Sequence, residues 1–152
     1  MKKIIFPVLS AFLLLLVSCT GKEVARIPVT PVAEGESENF QSSEPVSLKK
    51  GEKLAYWTEL GMEYSGDLQL QYTIDVSKNG ESISKKNYDP TQKNITIGES
   101  NVTIGGHTKW KFTGRFGSFT APADGNYTFK IMLIRSENPD CEINHSVFLL
   151  KK

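Results

Sequence analysis

The stretch Asp67-Leu68-Gln69-Leu70-Gln71-Tyr72-Thr73-Ile74-Asp75-Val76-Ser77 alternates apolar and polar side chains without a break. Leu68, Leu70, Tyr72, Ile74 and Val76 fall on one side of an extended chain; Gln69, Gln71, Thr73, Asp75 and Ser77 fall on the other. A period of two predicts an antiparallel strand with one buried face and one wet face. Lys78-Asn79-Gly80-Glu81 follows at once, and Asn and Gly both accept positive φ, so a type I′ turn is predicted there. The return strand, near Ser82 to Lys86, is polar and so belongs at a sheet edge.

The same period recurs on both sides of this hairpin. Upstream, Leu54 to Leu60 is rich in aromatics and ends at Gly61. Downstream, Ile95 and Ile97, then Val102 and Ile104, alternate like short strands, with Gly98, Gly105 and Gly106 between them. Trp110 and Phe112 alternate with lysines, and Ala121-Pro122-Ala123-Asp124-Gly125 is a strong turn signal. Tyr127, Phe129, Ile131 and Leu133 make another strand. Cys141, Ile143, His145, Val147 and Leu149 repeat the period to the C-terminus, which puts His145 on an apolar face. No long helical run competes with these signals. Short strands with turns every ten or so residues predict an all-β fold, an antiparallel β-sandwich of jelly-roll type.

Gly117-Ser118-Phe119-Thr120-Ala121-Pro122-Ala123-Asp124-Gly125-Asn126-Tyr127-Thr128-Phe129 resembles the ending of GOLD-type jelly-roll domains, where an Ala-Pro turn separates two apolar strands before a last one. Tyr64 to Val76 matches the earlier long strand of that pattern. The paired cysteines of the eukaryotic secretory members are missing, so cargo reception does not transfer. The resemblance implies a non-catalytic module for protein or ligand contacts.

The N-terminus carries a different message. Lys2 and Lys3 precede an apolar run that reaches Val17, which is too short and wrongly flanked to span a bilayer and reads as a signal peptide. Its end, Leu16-Val17-Ser18-Cys19, resembles the lipobox of bacterial lipoprotein precursors. The resemblance implies cleavage before Cys19 and acylation of that cysteine. It also implies a lipid anchor in the cell envelope, with the outer membrane expected because Thr20 is not the Asp of inner-membrane retention. Two or three acyl chains hold a protein firmly, at about 0.8 kcal/mol per buried CH₂. Residues 20–45 carry Pro28, Pro31, Pro45 and Gly35 and an acidic, Ser-rich patch. The expected organisation is therefore a signal over 1–18, a lipidated flexible tether over 19–45, and the β-sandwich over 46–152. The alternative for the tether is a strand added to the domain by Ile27 to Val32.

Removal of residues 1–18 leaves 134 of the 152 residues and moves the formal net charge from +1 to −1. That balance argues against nucleic acid or anionic lipid as the main partner. With Cys19 lipidated, Cys141 is the last thiol, so no intramolecular disulfide is possible and the core must hold the fold.

No constellation of residues commits the chain to a reaction, and no cofactor or metal is expected. The two histidines, His107 and His145, lack Cys or carboxylate partners at metal-ligand spacing. Cys141 and His145 sit four apart on one strand, roughly 13 Å at ~3.3 Å per residue, too far for proton transfer. Asp124-Gly125-Asn126 supplies too few oxygens for calcium. The aromatics are the remaining lead: Tyr56, Trp57, Tyr64, Tyr88 and Trp110 stack on sugar rings if they share an exposed sheet face, the alternative being two tryptophans in the sandwich core. The expected function is a membrane-anchored, non-enzymatic binding module for a protein or ligand. The alternatives are a glycan-binding lipoprotein using those aromatics, and an inhibitor or immunity-type lipoprotein presenting Asn87 to His107 to an enzyme cleft.

Overall fold

The computed structural model describes residues 21–29, 33–34 and 40–152; Cys19 and the signal lie outside them. In chain order the strands are β1 (Glu23–Pro28), β2 (Ala33–Glu34), β3 (Gln41–Ser42), β4 (Val46–Leu48), β5 (Lys53–Ser65), β6 (Leu70–Lys78), β7 (Glu81–Tyr88), β8 (Ile95–Ile104), β9 (His107–Thr120), β10 (Gly125–Arg135) and β11 (Glu142–Lys151). Sheet A runs β1-β11-β5-β9-β8. Sheet B runs β10-β6-β7, with β2, β3 and β4 paired along the other side of β10. The two sheets pack face to face as a β-sandwich, antiparallel except for the two-residue β2 pairing.

The opening stretch forms β6, with Leu70, Tyr72, Ile74 and Val76 in the core and Leu68 against its rim. Asn79 and Gly80 take φ of 53° and 81°, the left-handed pair that the tight turn needs. The other face of β6 is drier than predicted. Thr73 and Ser77 are buried there, because β6 lies between β10 and β7 and not at a margin. Thr73 donates its hydroxyl to Asn87 at 3.0 Å.

Phe148 lies between Tyr56, Tyr72 and Phe116, with ring centroids 5.4–5.9 Å away. Such pairs add about 0.5–1.5 kcal/mol each beyond their area burial. A polar contact crosses this layer. Thr58 Oγ1 donates to the Val147 carbonyl at 3.2 Å, so the Tyr72 hydroxyl donates to Thr58 at 2.8 Å. Burial pushes the Tyr72 hydroxyl up to about 12, which keeps it a donor.

Two expectations are corrected. The tether over 19–45 does not hold for the described residues: β1 pairs antiparallel with β11 from Glu23 to Pro28, and Ile27 and Val29 are buried. Residues 33–34 and 41–42 pair with β10. The segment lacks a period of two because it docks on open sheet edges by its backbone, and edge strands tolerate proline. The alternative of an added strand was nearer, although the strand is Glu23–Pro28.

The second correction concerns β11. A register shift between Ile143 and His145 reverses the side chains beyond it. Phe148 and Leu150 therefore enter the core, while Val147 and Leu149 form a second apolar cluster with Trp57.

Candidate binding surface

The β8–β9 hairpin is the least covered part of the described chain. Gly105 and Gly106, with φ of 58° and 79°, close it, and the segment predicted as two short strands is one strand of ten residues, all exposed. Ile95, Ile97, Val102 and Ile104 are 43, 50, 50 and 76 % exposed, four of the five exposed large apolar side chains described. A register shift between Thr96 and Gly98 bends the strand. Ile95, Val102 and Ile104 pair with Arg115, Lys109 and His107, which puts them on the outer face of sheet A. The far side of β8 bonds to no other described strand. The surface thus combines free backbone donors and acceptors with apolar side chains, the two ingredients of recognition by strand addition.

The inner side of the hairpin is closed by Lys93. Its Nζ lies 4.1 Å from the Phe112 ring centroid and 4.7 Å from that of Trp110. A carboxylate of Glu99 holds it at 3.0 Å. Gly114 makes room for this: a Cβ there would sit 2.5 Å from Lys93 Cδ. The Trp110 indole N–H donates to Glu99 at 2.7 Å. These bonds, Lys93 first, hold the Glu99 carboxyl below the usual carboxylate range.

The candidates Tyr56, Trp57 and Trp110 do not converge, although Tyr88 packs edge-on to Tyr56 at 5.6 Å. Tyr56 is buried in the core, and burial pushes its hydroxyl far up. Trp57, the next residue, points to the opposite face of the sheet and is buried against Val147 and Leu149. Trp110 is half-buried, with its N–H satisfied and Lys93 over its ring. Consecutive residues of a strand cannot share a face, so Tyr56 and Trp57 make no sugar platform. A groove of about 450 Å³ does open between β7 and β9, floored by Tyr56 and Phe119 and bordered by Ile83, Lys86 and Tyr88.

His145 is corrected too. It stands exposed on the outer face, with Nε2 at 3.2 Å from Glu59, which also takes a two-bond contact from Arg26 at 2.8 and 3.0 Å. His107 sits 3.6 Å from Glu63, which Lys109 holds at 2.6 Å. Each histidine thus shares one carboxylate with a permanent cation. Among the described residues no three His, Cys, Asp or Glu groups gather at metal-binding distance. Burial pushes the Cys141 thiol up, away from the thiolate a nucleophile needs.

No family model matches the chain, and neither a curated protein nor a solved structure matches it. The exposed residues of β8 were visible in the sequence as an alternating pattern. Their exposure was not, because an alternating strand is read as half buried and β8 has nothing behind it.

Proposed function

We propose that the chain is a lipid-anchored, non-catalytic binding module of the bacterial cell envelope that captures a protein partner along β8. The observation that carries the reading is the ten-residue exposed edge strand bearing Ile95, Ile97, Val102 and Ile104. Soluble monomers normally blunt such an edge with charge or cover it. Here the only charge on the strand is Glu99, and it is spent on Lys93 and Trp110. The anchor rests on Leu16-Val17-Ser18-Cys19, and the protein-binding reading outranks the glycan reading because Tyr56 and Trp57 are buried on opposite faces.

A photo-crosslinking amino acid at Val102, activated in the intact envelope, tests this. One defined adduct is expected from Val102 and none from Lys130, which is exposed on β10. Identical adduct patterns from both positions, or none from Val102, would sink the proposal. The anchor has its own test: intact mass of the purified protein should show acyl chains on an N-terminal Cys19.

A further inference from the structure

On the outer face of sheet A, at the end where the described chain begins, a cleft of about 340 Å³ is lined by Lys53, Arg115, Lys151 and Lys152 around Trp57, and no acidic residue lines it. The register explains the gathering. Lys53 and Trp57 are outward positions of β5, Arg115 pairs with Trp57 from β9, and Lys151 pairs with Ala55 from β11. Cations far apart in sequence thus arrive on one spot.

Among the described residues, one of them leaves a buried donor open, and another lies against the indole with no counter-charge. Lys151 is only 8 % exposed. Its Nζ rests 4.6 Å from the Trp57 ring centroid, and no carboxylate among the described residues pairs with it. Arg115 Nε is buried without a hydrogen bond among the described residues. A buried donor left open costs free energy unless something fills it. Lys53 is exposed and has no ion-pair partner among the described residues, where Lys152 alone of the four has a counter-charge, Glu52 at 3.0 Å. Guanidinium and ammonium groups around a half-enclosed space, with no acid in the lining, match a phosphate.

Gly21, the first described residue, also lines this cleft. Gly21 takes φ of +75°, and a Cβ on it would fall 2.2 Å from the Lys152 carbonyl oxygen. Lys22 and Lys152 exchange both backbone hydrogen bonds, at 2.8 and 3.1 Å. Gly21 is therefore pinned beside the cations. Cys19 is two residues away, a reach of at most ~7 Å at ~3.3–3.6 Å per residue. A bilayer's headgroup layer is roughly 5–7 Å deep on each side.

We infer that this cleft binds a phosphate group, and that its occupant is the headgroup phosphate of an anionic lipid in the membrane that holds Cys19. The occupant rests on the lipoprotein reading; the phosphate site does not. The sandwich then lies against the bilayer, with the Gly21 and Lys152 end of sheet A down, and is not lifted away on a long tether. Each basic side chain at an anionic surface is worth about fivefold in binding.

The test uses the full chain in non-ionic detergent and follows its two indole N–H signals by NMR, assigned with Trp110→Phe. Inorganic phosphate should move the Trp57 signal saturably, and chloride at equal ionic strength should not. Lys151→Met keeps the alkyl chain on the indole and removes the charge, and Arg115→Gln is its independent counterpart. Each should weaken phosphate about fivefold or more while the rest of the spectrum stays put. No saturable shift, or a shift both variants leave untouched, overturns the site.

In the second arm the chain is reconstituted in phosphatidylcholine vesicles with or without phosphatidylglycerol. The Trp57 shift should appear with phosphatidylglycerol and no added phosphate. A response to inorganic phosphate alone overturns the lipid assignment. If Cys19 carries no acyl chain while the phosphate titration succeeds, the anchor reading fails and the site stands.

Discussion

β7 and β8 are both terminal strands, one at the margin of each sheet, and they treat that position in opposite ways. β7 reads Glu81-Ser82-Ile83-Ser84-Lys85-Lys86-Asn87-Tyr88, with three charges in eight residues, and Lys85 covers the Phe40 ring at 5.5 Å. β8 reads Ile95-Thr96-Ile97-Gly98-Glu99-Ser100-Asn101-Val102-Thr103-Ile104, with one charge in ten residues, and that charge is neutralised internally. A charged edge repels further strands; an apolar edge with open backbone groups invites one. The same chain therefore guards one margin and leaves the other open, and the proposed contact surface rests on that contrast.

The largest expected effect tests whether the two edges share one foundation. Phe148→Ala removes the ring between Tyr56, Tyr72 and Phe116 and should lower unfolding free energy by about 3–5 kcal/mol in urea titrations. Hydrogen exchange should rise in both hairpins together. Opening of one hairpin alone would mean that the edges belong to separate cooperative units.

Gly117→Ala should separate them. Its new methyl would stand 2.8 Å from the Tyr88 ring and 3.1 Å from that of Tyr56, so β7 must move off β9 at a cost of about 1–3 kcal/mol. Exchange should accelerate in β7 and not in β8; equal acceleration in both would refute the local account.

Exchanging the chemistry of the two edges sharpens the contrast further. Lys85→Val with Lys86→Val should leave stability within about 0.5 kcal/mol and make β7 self-associate, read by sedimentation. Val102→Lys with Ile104→Lys should also leave stability within about 0.5 kcal/mol but abolish partner capture by β8. Retained capture would show that β8 is not the contact.

The smallest effect concerns a third edge, β1, which is held partly by charge. Arg26 hydrogen-bonds Glu59 and, with a smaller contribution from His145, holds its carboxyl below the ordinary value of 4.5 despite desolvation. A lowered folded value means that the stabilisation is complete above the unfolded value and is lost as pH falls through the folded one. Thermal melts of the wild type and Glu59→Gln should therefore differ most near neutral pH and converge in acid. For a half-exposed pair the gap should be below about 1 kcal/mol. A gap that widens in acid would reverse the assignment.

Much of the sandwich was legible because local chemistry and global fold agree. The period over Leu70 to Val76, the Asn79-Gly80 turn and the Ala121 to Gly125 turn each specify a conformation by themselves, and the structure contains all three. Local pattern misleads where one extra residue matters. The shift at Ile143 to His145 exchanges the faces of β11, and a bulge leaves no mark in composition. Local pattern misleads again over residues 23–28, where pairing is through the backbone and side-chain pattern is silent. Residue type makes Tyr56 and Trp57 equal candidates, yet they leave opposite sides of β5.

The sequence by itself determined the strand-forming periods, the turns and a signal-like N-terminus, because each depends on residues close together in the chain. Tertiary structure alone decided which edge is bare and which cations meet. A formal net charge of +1 spread over 152 residues gives no hint of a cationic cleft. Lys53, Arg115 and Lys151 come together only when β5, β9 and β11 pair in register around Trp57.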